Sequence, residues 1–277
     1  MHHRFSWRLT LLGVVMALTA PLQAADQFIT LASTTSTQAS GFFDYFLPIF
    51  QAKSGIEVRV VAVGTGQALK LGEKGDADVL LVHDKAGELK FVKQGYGVDR
   101  REVMYNDFIL VGPATDPAGG IRGMTDATGA MKRIAKVKAP FVSRGDDSGT
   151  HRTELRLWGA ADVDVKAASG TWYKDVGAGM GATLNTAAGL NAYTLSDRAT
   201  WLTFKNRADL TLLVEGDPQL FNQYSVILVN PSRHKHVKKE AGLAFMDFMV
   251  SPQGQQAIGS YQVQGQTLFK PNANRTQ

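Results

Sequence analysis

The chain has 277 residues, 44% of them hydrophobic, and no cysteine, which excludes a disulfide framework, thiolate catalysis and cysteine-based zinc sites. Lys plus Arg number 30 against 25 Asp plus Glu, a net charge of +5 with no long basic run. Nucleic acid is therefore not expected as a partner, whereas a small anion suits the balance. The length allows one large or two medium domains with a real core.

Taken in order, Arg4 and Arg8 precede an apolar run from Leu9 to Ala20, and Pro21-Leu22-Gln23-Ala24-Ala25 ends in small residues. This pattern predicts a secretory signal peptide over residues 1–24, cleaved after Ala24, since the run is short for a transmembrane span. Removing Arg4 and Arg8 takes the net charge from +5 to +3. No later apolar stretch is long enough to anchor the chain, so a soluble periplasmic protein is expected.

Phe28 to Ala32 reads as a buried first strand. It runs into Ser33-Thr34-Thr35-Ser36-Thr37-Gln38-Ala39-Ser40-Gly41, where six of nine residues bear hydroxyls. An amphipathic helix through Phe42, Phe43, Phe46, Leu47 and Phe50 follows. One Ser or Thr is enough to cap a helix, so several in a row supply spare donors. Glu57 to Val63 is a second strand ending in Gly64-Thr65-Gly66-Gln67, a tight turn able to aim backbone N–H groups at an anion, with a helix from Ala68 to Lys74. The third glycine of a dinucleotide fingerprint and the P-loop lysine are both missing. Asp78 to Val82 is a third strand, followed by His83-Asp84 and a helix over Lys85 to Lys93. Three strand–helix units in a row argue for a parallel sheet flanked by helices, with ligands at the carboxyl ends of the strands.

Asp107 to Pro113 reads as a strand leaving the first lobe, and the Gly- and Pro-rich stretch from Ala114 to Gly123 marks a boundary. A second lobe follows, with a helix from Asp126 to Val137 and a strand from Pro140 to Ser143. Next comes the turn Arg144-Gly145-Asp146-Asp147-Ser148-Gly149-Thr150, which opens a helix. Helix starts leave N–H groups unpaired and carry the positive end of the helix dipole. Ser148 and Thr150 add hydroxyls there, Gly149 permits close approach, and Arg144 adds a fixed charge with a planar fork of donors. Gly177 to Gly181 reads as a flexible start to the next helix. Ser196-Asp197-Arg198 caps a later one, and Arg198, in a first turn where it opposes the dipole, is a second candidate cation. Leu210 to Val214 is a strand, and Gln223 to Asn230 returns the chain to the first lobe, which helices from His236 to Val250 and from Ser251 complete. Two crossings give two lobes, residues 25–112 with 224–277 and residues 113–223.

An exported, two-lobed chain with anion-ready helix starts resembles a type II periplasmic solute-binding protein of an ABC importer. Four blocks, Thr34 to Gln38, Val63 to Gly72, Asp76 to Asp84 and Phe141 to Thr150, are similar to those of the TupA-type tungstate-binding proteins. Tyr105 to Phe108, Gly179 to Asn185 and Val214 to Pro218 match as well. The resemblance implies an α/β fold of two lobes, each a mostly parallel sheet flanked by helices, joined by two crossover strands. It also implies one tetrahedral oxyanion held by Thr34, Thr35, Ser36, Thr65, Arg144, Ser148, Gly149 and Thr150, with Arg198 as a further candidate. A membrane permease is the implied partner of a monomeric binding protein that needs no cofactor and binds no free metal cation. Tungstate and molybdate only accept hydrogen bonds, which suits this donor set. A protonated phosphate would also want a buried carboxylate, which Asp84, Asp146 or Asp147 could supply unless they are caps or Arg partners, so phosphate and sulfate stay open.

The contrasting class is a hydrolase of phosphorylated substrates, with His83-Asp84 and His151 as its acid–base candidates. No nucleophile elbow, H-E-x-x-H helix or EF-hand loop supports it, and a binding protein is expected in place of an enzyme.

Overall fold

A computed structural model describes residues 28–273, and the expected signal peptide lies outside them. The chain alternates strands and helices from the start: β1 (Phe28–Thr34), α1 (Thr35–Ala39), α2 (Phe42–Ser54), β2 (Glu57–Val63), α3 (Thr65–Lys74), β3 (Val79–Val82) and α4 (Lys85–Lys93). The four residues of β3 are all buried, as a strand covered on both faces by helices must be. In α2 the phenylalanines at 42, 43, 46 and 50 share one buried face. Each such side chain is worth roughly 1.5–3 kcal/mol when removed from water.

The next strand, β4, is 17 residues long (Gly97–Pro113). It is followed by α5 (Ala127–Val137), β5 (Phe141–Ser143), α6 (Gly149–Ala160), β6 (Tyr173–Asp175), α7 (Met180–Leu190), β7 (Thr194–Asp197), α8 (Arg198–Thr203) and β8 (Leu210–Val214). The return strand β9 (Phe221–Val229) leads to α9 (Lys239–Val250), α10 (Pro252–Ser260) and three two-residue strands, β10 (Gln262–Val263), β11 (Gln266–Thr267) and β12 (Lys270–Pro271).

The main sheet runs β12-β4-β9-β3-β1-β2, with β7 and β8 also paired to β4. The parallel part is β2-β1-β3. It continues through β9 and β4, both antiparallel to their neighbours, while β5 and β6 form a separate parallel pair. Gly97 to Asp107 of β4 pairs with β9, and Phe108 to Pro113 pairs with β7 and β8. One strand therefore serves three hydrophobic cores. The first gathers β1, β3, β9, α2, α9 and Phe269. The others gather residues between Phe108 and Leu220, including Trp158, Tyr193 and Val214. Helix α8 lies between them, giving Leu202 to the first core and Trp201 to another.

Two expectations need correction. The segment read as a strand from Asp107 to Pro113 is only the second half of β4. Its first half carries Asp99, Arg100, Arg101 and Glu102, charges that hide a strand from a hydrophobicity reading but are paired here, as Arg100 with buried Glu88 at 2.8 Å and Arg101 with Asp99 and Asp247. Helix α3 also starts at Thr65 and not at Ala68, so Gly64-Thr65-Gly66 is the start of the helix itself and not a separate turn before it. Gly64 is an extended N-cap with φ −67°. Gly66 lies in the first helical turn, where a Cβ would come 2.5 Å from Asp147 Oδ2 and 2.8 Å from Arg152 Nη2. It is small to admit another part of the chain.

Candidate anion-binding site

Parallel pairing brings the ends of β1 and β3 side by side, with Ser33 opposite Leu81, so the residues that follow each strand meet. Of the hydroxyl cluster, Ser33 is spent on Leu81 O at 2.6 Å and Ser40 on Thr37 O at 2.6 Å. Thr34 caps α1, its Oγ1 accepting from Thr37 N at 3.3 Å and lying 3.1 Å from Ser36 Oγ and 2.7 Å from Thr37 Oγ1. Ser36 and Thr37 are buried, whereas Thr35 is exposed. From the end of β3, His83 Nε2 approaches Thr34 Oγ1 at 3.2 Å and Ser36 Oγ at 3.4 Å. Its Nδ1 lies 3.0 Å from Asn222 Oδ1, and the Asn222 amide nitrogen donates to Asn106 Oδ1 at 2.7 Å. That arrangement assigns the proton to Nδ1 and leaves Nε2 an acceptor for the hydroxyls. The ring stacks on Tyr224 with centroids 4.7 Å apart. Burial, reinforced by the Arg144 charge, pushes His83 down to about 4, so it is neutral at physiological pH.

The second set of groups follows β5. Arg144 is 2% exposed and its guanidinium donates twice to Asp146 Oδ2, at 2.6 and 3.2 Å. The other Asp146 oxygen accepts from Ser148 N at 3.2 Å, and Ser148 Oγ caps α6 by accepting from His151 N. Gly149 N then donates to Thr65 Oγ1 at 3.2 Å, linking the start of α6 to the start of α3. A Cβ on Gly149 would lie 2.8 Å from His83 Cε1. That is closer than packed carbon atoms tolerate, so only glycine fits. Thr150 Oγ1 is buried with no hydrogen-bond partner among the described residues.

The starts of α1, α3 and α6 thus meet around His83, bringing together three sets of spare N–H groups, the hydroxyls of Thr34, Ser36, Thr37, Thr65, Ser148 and Thr150, and one arginine. Such a place favours negative charge. Beside it lies a cavity of about 130 Å³ whose lining includes His83, Phe108 and Asn222, with Lys85 and Arg156 as further cations.

Of the residues singled out in the sequence, Thr34, Ser36, Thr65, Arg144, Ser148, Gly149 and Thr150 are gathered here. The Thr35 side chain is turned to solvent. Arg198 is held elsewhere, donating to Asp107 at 2.7 and 2.6 Å and to Glu215 at 2.6 Å, beside a separate cavity of about 500 Å³. The three carboxylates in question are Arg partners: Asp146 with Arg144, and Asp84 and Asp147 with Arg152 at 2.6 and 2.8 Å. His151, an acid–base candidate, instead accepts from Asp147 N at 3.1 Å through Nδ1.

Sequence reasoning missed Thr37, Tyr224 and Asn222 as members of this network, and it read Asp197 only as a cap. Tyr224, Asn222 and Asp197 are single residues with no spacing that ties them to the others, whereas Thr37 lies in the hydroxyl run already singled out but not among its ligand candidates. Among the described residues, no group of three or more His, Asp or Glu is placed to hold a metal ion.

Residues 19–253 match the family model described as a PBP superfamily domain. The sequence is 49% identical to the tungstate-binding protein TupA of Peptoclostridium acidaminophilum over 88% of this chain and 86% of that protein. The chain belongs to the TupA family. The solved TupA of Desulfovibrio alaskensis G20 superposes with a TM-score of 0.79 at 45% identity, over 90% of this chain and all of that one. The structure of the tungstate ABC transporter from Geobacter sulfurreducens gives 0.77 at 47% identity, over 86% of this chain and all of that one. These likenesses extend well beyond the TupA-like blocks around the site, across strands and helices on both sides of it.

Proposed function

We propose that this TupA-family chain is the substrate-binding component of an ABC importer, binding tungstate in the periplasm and delivering it to a membrane permease. The observation that carries the reading is the convergence of three helix starts with Thr34, Ser36, Thr65, Thr150 and Arg144, all of which can donate to an oxyanion. In this reading Ser148 positions the helix start, Gly149 lets it approach, and Thr35 contributes only its backbone. Residues 25–112 with 224–277 and residues 113–223 act as two lobes that close on the anion as monomers, and no covalent chemistry or cofactor is required. Support for the lobes comes from the separate hydrophobic cores and from β4, which pairs with β9 over its first half and with β7 and β8 over its second. A ligand shifts such an equilibrium only through its greater affinity for the closed form.

The test is thermal unfolding of the mature protein with sodium tungstate, molybdate, sulfate and phosphate at equal concentrations. A ligand at about a thousand times its dissociation constant stabilises by about 4 kcal/mol, which at roughly 2–4 °C per kcal/mol for a chain this size is readily seen. Tungstate should give a large shift, sulfate and phosphate none, and a competition titration then ranks molybdate. A shift with phosphate alone would overturn the ligand, and no shift with any of the four would overturn the function.

A further inference from the structure

Asp197 ends β7 and is wholly buried. Its Oδ1 accepts from Thr200 N at 2.8 Å, the capping bond of α8. Among the described residues its Oδ2 is buried with no hydrogen-bond partner, and the Thr200 hydroxyl, near enough to lower its proton affinity, is likewise buried without one. Buried polar atoms in native proteins are nearly always partnered, and an ionised carboxylate oxygen left alone is among the costliest exceptions.

The surroundings of Asp197 are the candidate site itself. It feels the charge of Arg144 from the turn after β5. Tyr224 of β9 feels the Asp197 charge in turn and reaches Thr37 of the hydroxyl cluster. Tyr224 also stacks on His83, and α8 packs on α1.

Resting on the tungstate-binding reading, we propose that Asp197 is a ligand-facing donor: in the closed protein its Oδ2 carries a proton, hydrogen-bonds the bound oxyanion through it, and so makes binding take up one proton from solvent. A dianion has no hydrogen to offer and would repel a carboxylate, so the two can share the site only if the acid is neutral.

The charged and titratable groups facing Asp197 agree with this. Burial raises its affinity for a proton, and the hydrogen bond from the Thr200 backbone and the nearby Thr200 hydroxyl, followed by the charge of Arg144, which is itself paired with Asp146, oppose that only in part. His83 is neutral, and burial raises the Tyr224 phenol, which therefore keeps its proton. Arg198, next in sequence, is turned away to Asp107 and Glu215. The carboxylic acid forms from aspartate and a solvent proton with no other bond made or broken, and the proton returns to solvent when the anion leaves.

The experiment is titration calorimetry of sodium tungstate into the mature protein, in buffers of different ionisation enthalpy at pH 7 and then from pH 6 to 8. Wild type should show an enthalpy that rises with buffer ionisation enthalpy with a slope near one. Its affinity should weaken with pH, by up to about tenfold per unit. In Asp197→Asn the single amide oxygen is held by Thr200 N, so Nδ2 faces the anion as a donor that needs no proton. This variant should lose the buffer slope and the pH dependence, so that its affinity relative to wild type rises from pH 6 to 8.

A wild-type enthalpy independent of buffer overturns the proposal without any variant having to fold. So does a variant that still takes up a proton. A folded variant that binds at no pH overturns it too, since the oxygen would then be acting as an acceptor. Wild type that binds none of tungstate, molybdate, sulfate and phosphate overturns the proposed function and this inference with it, whereas binding without proton uptake overturns this inference alone.

Discussion

Asp84→Asn should weaken tungstate binding although Asp84 is not among the proposed ligand contacts. Asp84 precedes α4, makes no capping bond with its side chain, and is 4% exposed. Its Oδ2 instead accepts from Arg152 Nη1 of α6 at 2.6 Å, with Arg156 at 3.7 Å from the other oxygen. This ion pair joins residues 68 apart in sequence and ties the segment after β3 to the far side of the site. Gly66 and Gly87 make room for it, since a Cβ on Gly87 would lie 2.7 Å from Asp84 Oδ2 and 3.1 Å from Arg152 Nη1. A hydrogen bond between charged groups contributes about 1.5–3 kcal/mol. Discounted because the Arg152 side chain is 27% exposed and keeps Asp147, the loss should be about 1–2 kcal/mol. If the pair exists only when the lobes are closed, all of that falls on the closed state, and affinity should drop about 5- to 30-fold, mostly through faster release. Titration calorimetry and stopped-flow release of tungstate measure both quantities. Asp147→Asn is the control, because its bond to Arg152 lies within one turn and helix and should change affinity less than twofold to threefold. Equal effects of the two substitutions would refute the assignment of the Asp84–Arg152 pair to closure.

Arg144→Gln should reduce tungstate affinity at least about 30-fold, the lower end of the 2–5 kcal/mol expected for removing one member of a buried charge pair, while circular dichroism shows an intact fold; unchanged affinity would remove Arg144 from the site. Gly149→Ala should weaken binding roughly tenfold, with little change in the unfolding temperature of the free protein, because the new methyl group meets a His83 ring that Asn222 and Tyr224 hold in place. Equal affinities would show that the gap between α6 and His83 can widen freely. Glu154 is fully buried, accepts from Tyr173 and Trp158, and is pushed up to about 8 by that burial. The folded protein thus keeps a proton that the unfolded chain releases above about 4.5, and the stability contributed by this group falls as pH rises from about 4.5 to about 8, by at most about 1.4 kcal/mol per unit. Glu154→Gln should therefore unfold at a higher temperature than wild type at pH 8, with the difference shrinking toward pH 5. A difference independent of pH would contradict this.

The parts of the fold that could be read from sequence were those whose chemistry is local. Apolar runs announced β1, β2 and β3, and Asp126, Ser148, Asp197 and Ser251 cap the helices they precede. Where the decisive interaction is between distant residues, local chemistry misleads. The charged first half of β4 looks like a loop until Glu88 and Asp247 arrive to neutralise it. Arg198 at a helix start looks like an anion ligand until Asp107, 91 residues earlier, takes it. The site shows the same division. Its hydroxyls and Arg144 lie in compact runs that can be recognised, while His83, Asn222, Tyr224 and Asp197 become neighbours only because the ends of β3, β7 and β9 are brought together.

The sharing of β4 among three cores also sets what can be cut from this chain. Residues 114–220 form a continuous insertion between β4 and β9, and on connectivity alone they look like a portable module. Yet both β7 and β8 find their ladder partner in Phe108 to Pro113, upstream of that segment. Expressed alone, the segment would present two orphaned strand edges and self-associate; a fragment begun at Asp107 carries its own partner strand. Recombination among relatives should therefore succeed with crossovers before Asp107 and fail with crossovers at Ala114.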